Sequence, residues 1–115
     1  MKRFKFSDLH SEGPEHIAAN LVPDKYIVHG GLSFHTVGWR THPEGEHRHA
    51  YYEVFGIMQG RGEIEINGQR EPIHAGEVLV IEPDEDHHVV GDPDYPIINL
   101  WFNFADEPRE DQRGK

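Results

Sequence analysis

Apolar and polar positions alternate over short stretches along this chain, and glycine, proline or Asx residues interrupt the pattern at short intervals. The stretches KYIVHG, GLSFHTVGWR and YYEVFGIMQ are rich in β-branched and aromatic residues, which favour strands. EVLVIEP, HHVV and IINLWFNF are three further apolar runs of strand length. This pattern predicts an all-β fold of about eight short strands, arranged as an antiparallel sandwich or barrel.

One hairpin can be located from its turn residues. GEIEI alternates strictly, so Ile64 and Ile66 are expected on one face of a strand. Asn67 and Gly68 follow, and this pair favours a type I′ turn because both central residues need a positive φ. QREPIHAG is then the return strand, and Pro72 restricts it to the edge of a sheet.

The length of 115 residues indicates one domain with one modest hydrophobic core. We expect residues 1–31 to form an N-terminal arm with the first strand or strands, and residues 32–104 to form the barrel. Residues 105–115 contain almost no apolar side chains and predict a loosely ordered acidic tail.

Charge and composition exclude several classes of function. The chain has 11 basic and 21 acidic residues and a formal net charge of −10, which disfavours direct binding to nucleic acid. It has no cysteine, so thiolate catalysis, iron–sulfur clusters and disulfides are excluded. No apolar run predicts a signal peptide or a membrane span, and we expect a cytoplasmic location.

The candidate chemistry lies in EHRHAYYEVFGIMQG, residues 46–60. If this stretch is extended, His47 and His49 project from the same side and can reach one metal ion. Glu53 has the same parity, but on a straight strand its Cα would lie roughly 13 Å beyond that of His49. A metal-binding Glu53 therefore requires a bend around Ala50–Tyr52. A half-buried histidine pair that makes ordinary hydrogen bonds is the alternative.

These residues resemble the first motif of the cupins, which has glycine, five residues, His-x-His, three or four residues, glutamate, six residues and glycine. The match runs from His47 through His49 and Glu53 to Gly60. Thr41 stands where the leading glycine would be.

The second cupin motif, a glycine, a strand, a proline turn and a histidine, is degenerate here. Gly76 is followed by EVLVIEPDEDHH, with Glu82 in the usual first proline place and Asp84 where the turn glycine usually falls. Counting from Gly76 favours His87 as the fourth ligand, and counting from Pro83 favours His88. We prefer His87, since the glycine count preserves strand length and side-chain parity.

The resemblance covers residues 32–104 and implies a single cupin-type antiparallel β-barrel, a double-stranded β-helix or jelly roll. It also implies one divalent metal ion, either iron, manganese, nickel, cobalt or zinc, since mixed nitrogen and oxygen ligands suit all of these. The implied metal ligands are His47, His49, Glu53 and His87, with His88 as the alternate ligand.

The stretch PDEDHHVVGDPDYPIINLWFNF resembles the sugar-sensing domain of AraC-type regulators. This likeness implies a ligand pocket inside the barrel, lined by one face of the last strand with Asn99, Trp101 and Asn103. A purely structural Trp101 in the core is the alternative. His35 and Tyr51 are possible neighbours of the metal or proton-transfer groups, with structural roles as their alternative.

Two functions from different classes follow from the resemblance. The first is a metal-binding protein that holds a small polar molecule, such as a sugar, a hydroxy acid or a keto acid, and acts as an isomerase, dioxygenase or lyase. The second is a non-catalytic small-molecule sensor without a DNA-binding half. The resemblance also implies a homodimer.

Overall fold

The computed structural model describes residues 1–9 and 21–110, and these residues fold almost entirely into strands. One short 3₁₀ turn, Phe6–Asp8, follows the first strand. The prediction of an all-β fold is confirmed. The strands are β1 (Lys2–Lys5), β2 (Tyr26–His35), β3 (Tyr52–Gln59), β4 (Arg61–Ile66), β5 (Gln69–His74), β6 (Glu77–Ile81), β7 (His87–Val90) and β8 (Ile97–Ala105).

The strands form two antiparallel sheets. One sheet has the order β1-β6-β3-β8-β2 and the other has the order β5-β4-β7. Apolar side chains from both sheets meet between them, because Phe55 and Leu79 of the first sheet belong to the same buried cluster as Ile64 and Val89 of the second. This jelly-roll arrangement places the inward-facing residues of both sheets around a common interior.

Two strands differ from the sequence prediction. KYIVHG and GLSFHTVGWR form one strand, β2, which ends at His35 instead of continuing to Arg40. The reason is that the chain leaves the five-stranded sheet after His35 and crosses to β7, where Arg40 forms a bridge with Val90. The charged strand β1 lies within the region where an N-terminal arm with the first strand or strands was expected, but no sequence pattern located it at Lys2–Lys5, and it pairs with β6.

The predicted hairpin is confirmed. Asn67 and Gly68 have φ values of 49° and 83°, as a type I′ turn requires. Pro72 lies in β5, which is an edge strand. Gly60 also has a positive φ of 85°, and a Cβ there would lie 2.0 Å from the carbonyl oxygen of Pro96, so this position requires glycine.

The predicted domain boundaries stay predictions. β2 runs through the boundary between residues 31 and 32, and the end of the predicted tail, residues 111–115, lies outside the described residues. Within residues 1–9 and 21–110, the structure contains no helix long and apolar enough to cross a membrane.

Candidate metal centre

The two histidines of the first motif lie in an extended segment that runs beside the start of β7. Residues 47–49 are not part of a strand. Two backbone hydrogen bonds hold them instead: Asp84 N–H donates to His49 O at 2.7 Å, and His87 N–H donates to His47 O at 3.1 Å. The two rings still project to the same side, with centroids 4.5 Å apart.

The chain then bends before Glu53. The structure has bends at Ala50 and Tyr51, the place where the distance argument required them, and β3 begins at Tyr52. Glu53 Oε1 lies 3.8 Å from His49 Nε2. The bend thus shortens a separation of roughly 13 Å along a straight strand to a near contact.

His87 brings the second motif to the same place. Its Nε2 lies 2.9 Å from Glu53 Oε1, and its Nδ1 lies 3.0 Å from Glu85 O. Asp84, at the usual position of the turn glycine, has a φ of 65°, so it adopts the backbone conformation that glycine would supply. The structure therefore brings together the four residues that we call the inner cluster: His47, His49, Glu53 and His87.

The inner histidines have different proton affinities. Burial, followed by the neighbouring rings of His87 and His42, lowers the pKa of His47 to about 4. Burial also lowers the pKa of His49, although Glu53 opposes the change. For His87, burial alone would lower the pKa, but the hydrogen bonds to Glu53 and to Glu85 O outweigh it, and the pKa is raised.

The inner cluster fits a divalent metal ion. Two atoms that bind one ion at about 2.0–2.2 Å lie roughly 3 Å apart at a right angle and about 4 Å apart on opposite sides. The distances from Glu53 Oε1 to His87 and His49, 2.9 Å and 3.8 Å, fall in this range. One ligating atom from each of the three histidines lies within 4.8 Å of the others, so small movements complete the set. The bond from His87 to Glu85 O is the kind of contact that orients a metal-binding imidazole.

His88 does not join the inner cluster. It is 1% exposed, lies on the other face of β7, and its Nδ1 is 2.6 Å from Thr41 O while its Nε2 is 2.8 Å from Asp86 Oδ1. It belongs to a second polar group on that face, which we call the outer cluster: Arg40, Glu65, Arg70, Asp86 and His88.

The outer cluster is internally paired. Glu65 accepts hydrogen bonds from Arg40 at 2.7 Å and from Arg70 at 3.0 Å. Asp86 Oδ1 accepts one from the backbone N–H of His47 at 2.8 Å. The sequence analysis missed this cluster, because Glu65 reads as the solvent-facing position of an alternating strand, yet it is only 8% exposed.

A cavity of about 310 Å³ opens beside the inner cluster. Of the predicted pocket residues, His35, Asn99, Trp101 and Asn103 line it. Tyr51 is not among the lining residues, and instead its ring stacks on that of His49 at 4.6 Å.

The sequence analysis also missed part of the cavity wall. Ser33, Thr41 and His42 line the cavity, and the ring of His42 stacks on that of His47 with centroids 4.1 Å apart. His42 has a φ of 50°, an uncommon value that no sequence pattern signals for histidine. Its only signal in the sequence is its nearness to the His-x-His pair.

Comparison with known proteins identifies one family. The Cupin_2 family model, described as Cupin domain, matches residues 33–102. No curated protein matches the sequence.

Several solved structures are similar to this chain. A Cupin 2 conserved barrel domain protein from Salinispora arenicola has 32% sequence identity and a TM-score of 0.57, and the match covers 66% of this chain and 61% of that protein. A cupin protein from Bacteroides fragilis has 28% identity and a TM-score of 0.57, with coverage of 64% and 62%. This chain thus spans about three fifths of the length of these two proteins.

A predicted oxalate decarboxylase from Thermotoga maritima has 20% identity and a TM-score of 0.58, with coverage of 76% of this chain and 73% of that protein. At this identity the likeness shows the fold alone.

Proposed function

We propose that this chain, which belongs to the cupin domain family, binds one divalent metal ion at the inner cluster and holds a small polar molecule in the adjacent cavity. The observation that carries the proposal is the convergence of three imidazoles and one carboxylate from distant parts of the sequence on one point. Iron, manganese, nickel, cobalt and zinc all suit this set of nitrogen and oxygen ligands.

The proposed chemistry is that of a metal-dependent isomerase, dioxygenase or lyase. Three neutral imidazoles and one carboxylate leave a divalent ion with a net charge near +1, and the bound ion would acidify a water or polarise a bidentate hydroxy acid, keto acid or enediol. The depressed pKa values of His47 and His49 keep both rings neutral near pH 7, the form that ligates. The polar molecule would bind in the cavity beside the cluster.

The metal content of purified, untagged protein tests the proposal. We expect a near-stoichiometric content by elemental analysis in the wild type, and its loss in His47→Ala, His49→Ala, Glu53→Ala and His87→Ala. The matched control is His74→Ala, because His74 is exposed and lies outside both clusters. A wild type that holds no metal after reconstitution with each of the five ions would contradict the proposal.

A non-catalytic sensor, as in the ligand-binding domain of AraC-type regulators, is the alternative function. The cavity favours it, since Asn99, Trp101 and Asn103 line a space large enough for a small ligand. Turnover that Glu53→Gln abolishes would support the enzyme. Tight ligand binding without turnover, unchanged after chelation of the metal, would support the sensor.

A homodimer is part of the proposal. β2 is an edge strand of the five-stranded sheet, and it exposes two large apolar side chains, Leu32 at 69% and Phe34 at 64%. An exposed apolar edge strand is a surface on which a second copy can pair. We expect Phe34→Glu to convert a dimer into a monomer in sedimentation velocity, whereas a wild type that sediments as a monomer would refute the assembly. The cytoplasmic location likewise stays a prediction.

A further inference from the structure

Two aromatic rings flank the inner cluster in parallel stacks. The ring of His42 lies on that of His47 with an interplanar angle of 12° and centroids 4.1 Å apart. The ring of Tyr51 lies on that of His49 with an interplanar angle of 8° and centroids 4.6 Å apart. Each histidine of the His-x-His pair therefore has one face covered by a ring that does not belong to the inner cluster.

The three inner rings meet one another at steep angles. The planes of His47 and His49 are inclined by 84°, those of His47 and His87 by 69°, and those of His49 and His87 by 56°. An imidazole binds a metal ion through a nitrogen lone pair that lies in the plane of its ring. Rings in steeply inclined planes can point at one ion from different directions, whereas stacked rings have their lone pairs in nearly parallel planes. His42 is therefore not arranged as a further ligand of the ion that His47 would bind.

Hydrogen bonds orient the three inner rings unequally. His87 Nδ1 lies 3.0 Å from Glu85 O, a contact that fixes the rotation of this ring. In the described part of the chain, the ring nitrogens of His47 and His49 have no partner at hydrogen-bonding distance, and Glu53 Oε1 lies 3.8 Å from His49 Nε2. The stacked rings are therefore the contacts best placed to restrict the rotation of these two imidazoles.

The flanking rings are attached to fixed backbone. Thr41, the residue before His42, is tied to β7: its N–H donates to Val89 O at 2.9 Å, its Oγ1 accepts from Val89 N–H at 3.1 Å, and its carbonyl oxygen lies 2.6 Å from His88 Nδ1. Tyr51 directly precedes β3. Rings on such anchored positions can hold a neighbouring ligand in one orientation.

We propose that His42 and Tyr51 are positioning residues, whose rings stack on the imidazoles of His47 and His49 and hold them in the orientation that binds the metal ion. This inference rests on the proposed function for the metal ion and assigns the two residues a role that needs only their aromatic rings. Without the flanking ring, the imidazole rotates more freely in the metal-free protein. Metal binding must then order it, which lowers the affinity roughly threefold to tenfold.

Alanine and phenylalanine variants separate the effect of each ring from that of its polar atoms. His42→Phe and Tyr51→Phe keep an aromatic ring, whereas His42→Ala and Tyr51→Ala remove it. His42 has a φ of 50°, which neither alanine nor phenylalanine favours, so the two variants share the backbone cost and differ in the ring. Trp39→Ala, which removes an exposed ring three residues before His42, is the matched control. The melting temperature of each metal-free variant checks that it folds.

Competition with a chelator of known affinity measures the Kd of each protein for Co²⁺. We expect both alanine variants to bind Co²⁺ about fivefold more weakly than the wild type, and both phenylalanine variants and Trp39→Ala to stay within about twofold of it. The absorption bands of bound Co²⁺ report the geometry of its ligands. They should shift in the alanine variants and return to their wild-type positions in the phenylalanine variants.

The inference is overturned if the alanine variants bind Co²⁺ as tightly as the wild type. It is also overturned if the phenylalanine variants bind as weakly as the alanine variants, because a ring nitrogen of His42 or the hydroxyl of Tyr51 would then be the group that acts. A wild type that binds no metal contradicts the proposed function instead, and a double-mutant cycle on the metal-free protein then tests the stack alone. His42→Ala should destabilise the wild type more than it destabilises His47→Ala, and equal destabilisation would overturn the inference.

Discussion

The inner and outer clusters lie on opposite faces of the same strand, where His87 and His88 are neighbours. Each contains three histidine or acidic residues whose ligating atoms lie within 4.8 Å of one another. In the outer cluster two arginines neutralise Glu65, and both ring nitrogens of His88 face oxygen acceptors. In the inner cluster three imidazoles surround Glu53, and among the described residues no lysine or arginine lines the adjoining cavity.

This difference teaches that closeness of ligating residues does not by itself make a metal site. In the outer cluster arginines already supply the positive charge, and the oxygen atoms are used in hydrogen bonds. The inner cluster has ligating nitrogen and oxygen atoms without such a cation, and a divalent ion would complete it. We therefore predict that a bound metal ion stabilises the inner cluster and that ion pairs stabilise the outer cluster.

The largest expected effect is stabilisation by metal. A ligand that binds only the folded state, present at about 1,000 times its Kd, raises the free energy of unfolding by about 4 kcal/mol. We expect this rise in the wild type and its loss in Glu53→Gln, measured by urea denaturation with and without the metal. Glu65→Gln should keep the full rise. An equal loss in both variants would mean that the clusters do not differ in the proposed way.

The next effect is the loss of ion pairing in the outer cluster. Glu65→Gln keeps the size of the side chain but removes the charge that accepts hydrogen bonds from Arg40 and Arg70, and we expect a loss of about 1–3 kcal/mol in the metal-free protein. Glu63→Gln is the matched control on the same strand. Its side chain is 44% exposed and lies 3.9 Å from Arg70, so a change of less than about 1 kcal/mol is expected. Equal losses would show that burial adds nothing to the outer pairs.

Much of the inner cluster follows from local rules applied to the sequence. The His-x-His spacing places His47 and His49 on one side because the segment is extended, although it is not part of a strand. The distance from His49 to Glu53 on a straight strand required a bend, and the chain bends at Ala50 and Tyr51. The choice of His87 came from the resemblance to the second cupin motif, counted from Gly76, and His87 is the residue that faces Glu53.

The outer cluster could not be predicted in this way, because it depends on a long-range crossing. Residues 36–46 leave β2 and pass over β7, where Arg40 reaches Glu65 and the carbonyl of Thr41 reaches His88. The path uses positive φ values at His42 and Gly45, and the histidine gives no sequence signal for such a value. The alternation of GEIEI correctly predicts that Ile64 lies in the core. It wrongly predicts that Glu65 is exposed, because the pattern does not show the segment that crosses over this face.

A smaller effect is expected on the metal affinity of the inner cluster when Asp86 of the outer cluster is changed. Its Oδ1 accepts a hydrogen bond from the backbone N–H of His47 and lies 2.8 Å from Nε2 of His88. Asp86→Asn weakens this support, and loss of such an outer partner typically lowers metal affinity about 10-fold to 100-fold. We expect the low end of that range, measured by competition with a chelator of known affinity. Asp84→Asn, at an exposed position of the same turn, should change the affinity less than twofold, and a larger change there would mean that turn geometry, not Asp86, supports His47.

The smallest effect is a pH dependence confined to the outer cluster. Hydrogen bonds from Arg70 and then Arg40 lower the pKa of Glu65 below its ordinary value of 4.5, against the effect of burial. At a pH between the pKa of Glu65 in the folded protein and its ordinary pKa in the unfolded chain, the unfolded chain binds a proton that the folded protein does not. The stabilisation from ionised Glu65 is therefore present above about pH 4.5 and is lost as the pH falls through the pKa of the folded state. The difference in unfolding free energy between the wild type and Glu65→Gln should therefore be constant from pH 7 to about pH 4.5 and narrow below it. Urea denaturation of both proteins in the presence of a chelator measures this difference without a contribution from metal. A difference that stays constant to pH 3, or widens in acid, would show that the charge of Glu65 is not what holds Arg40 and Arg70 in the outer cluster.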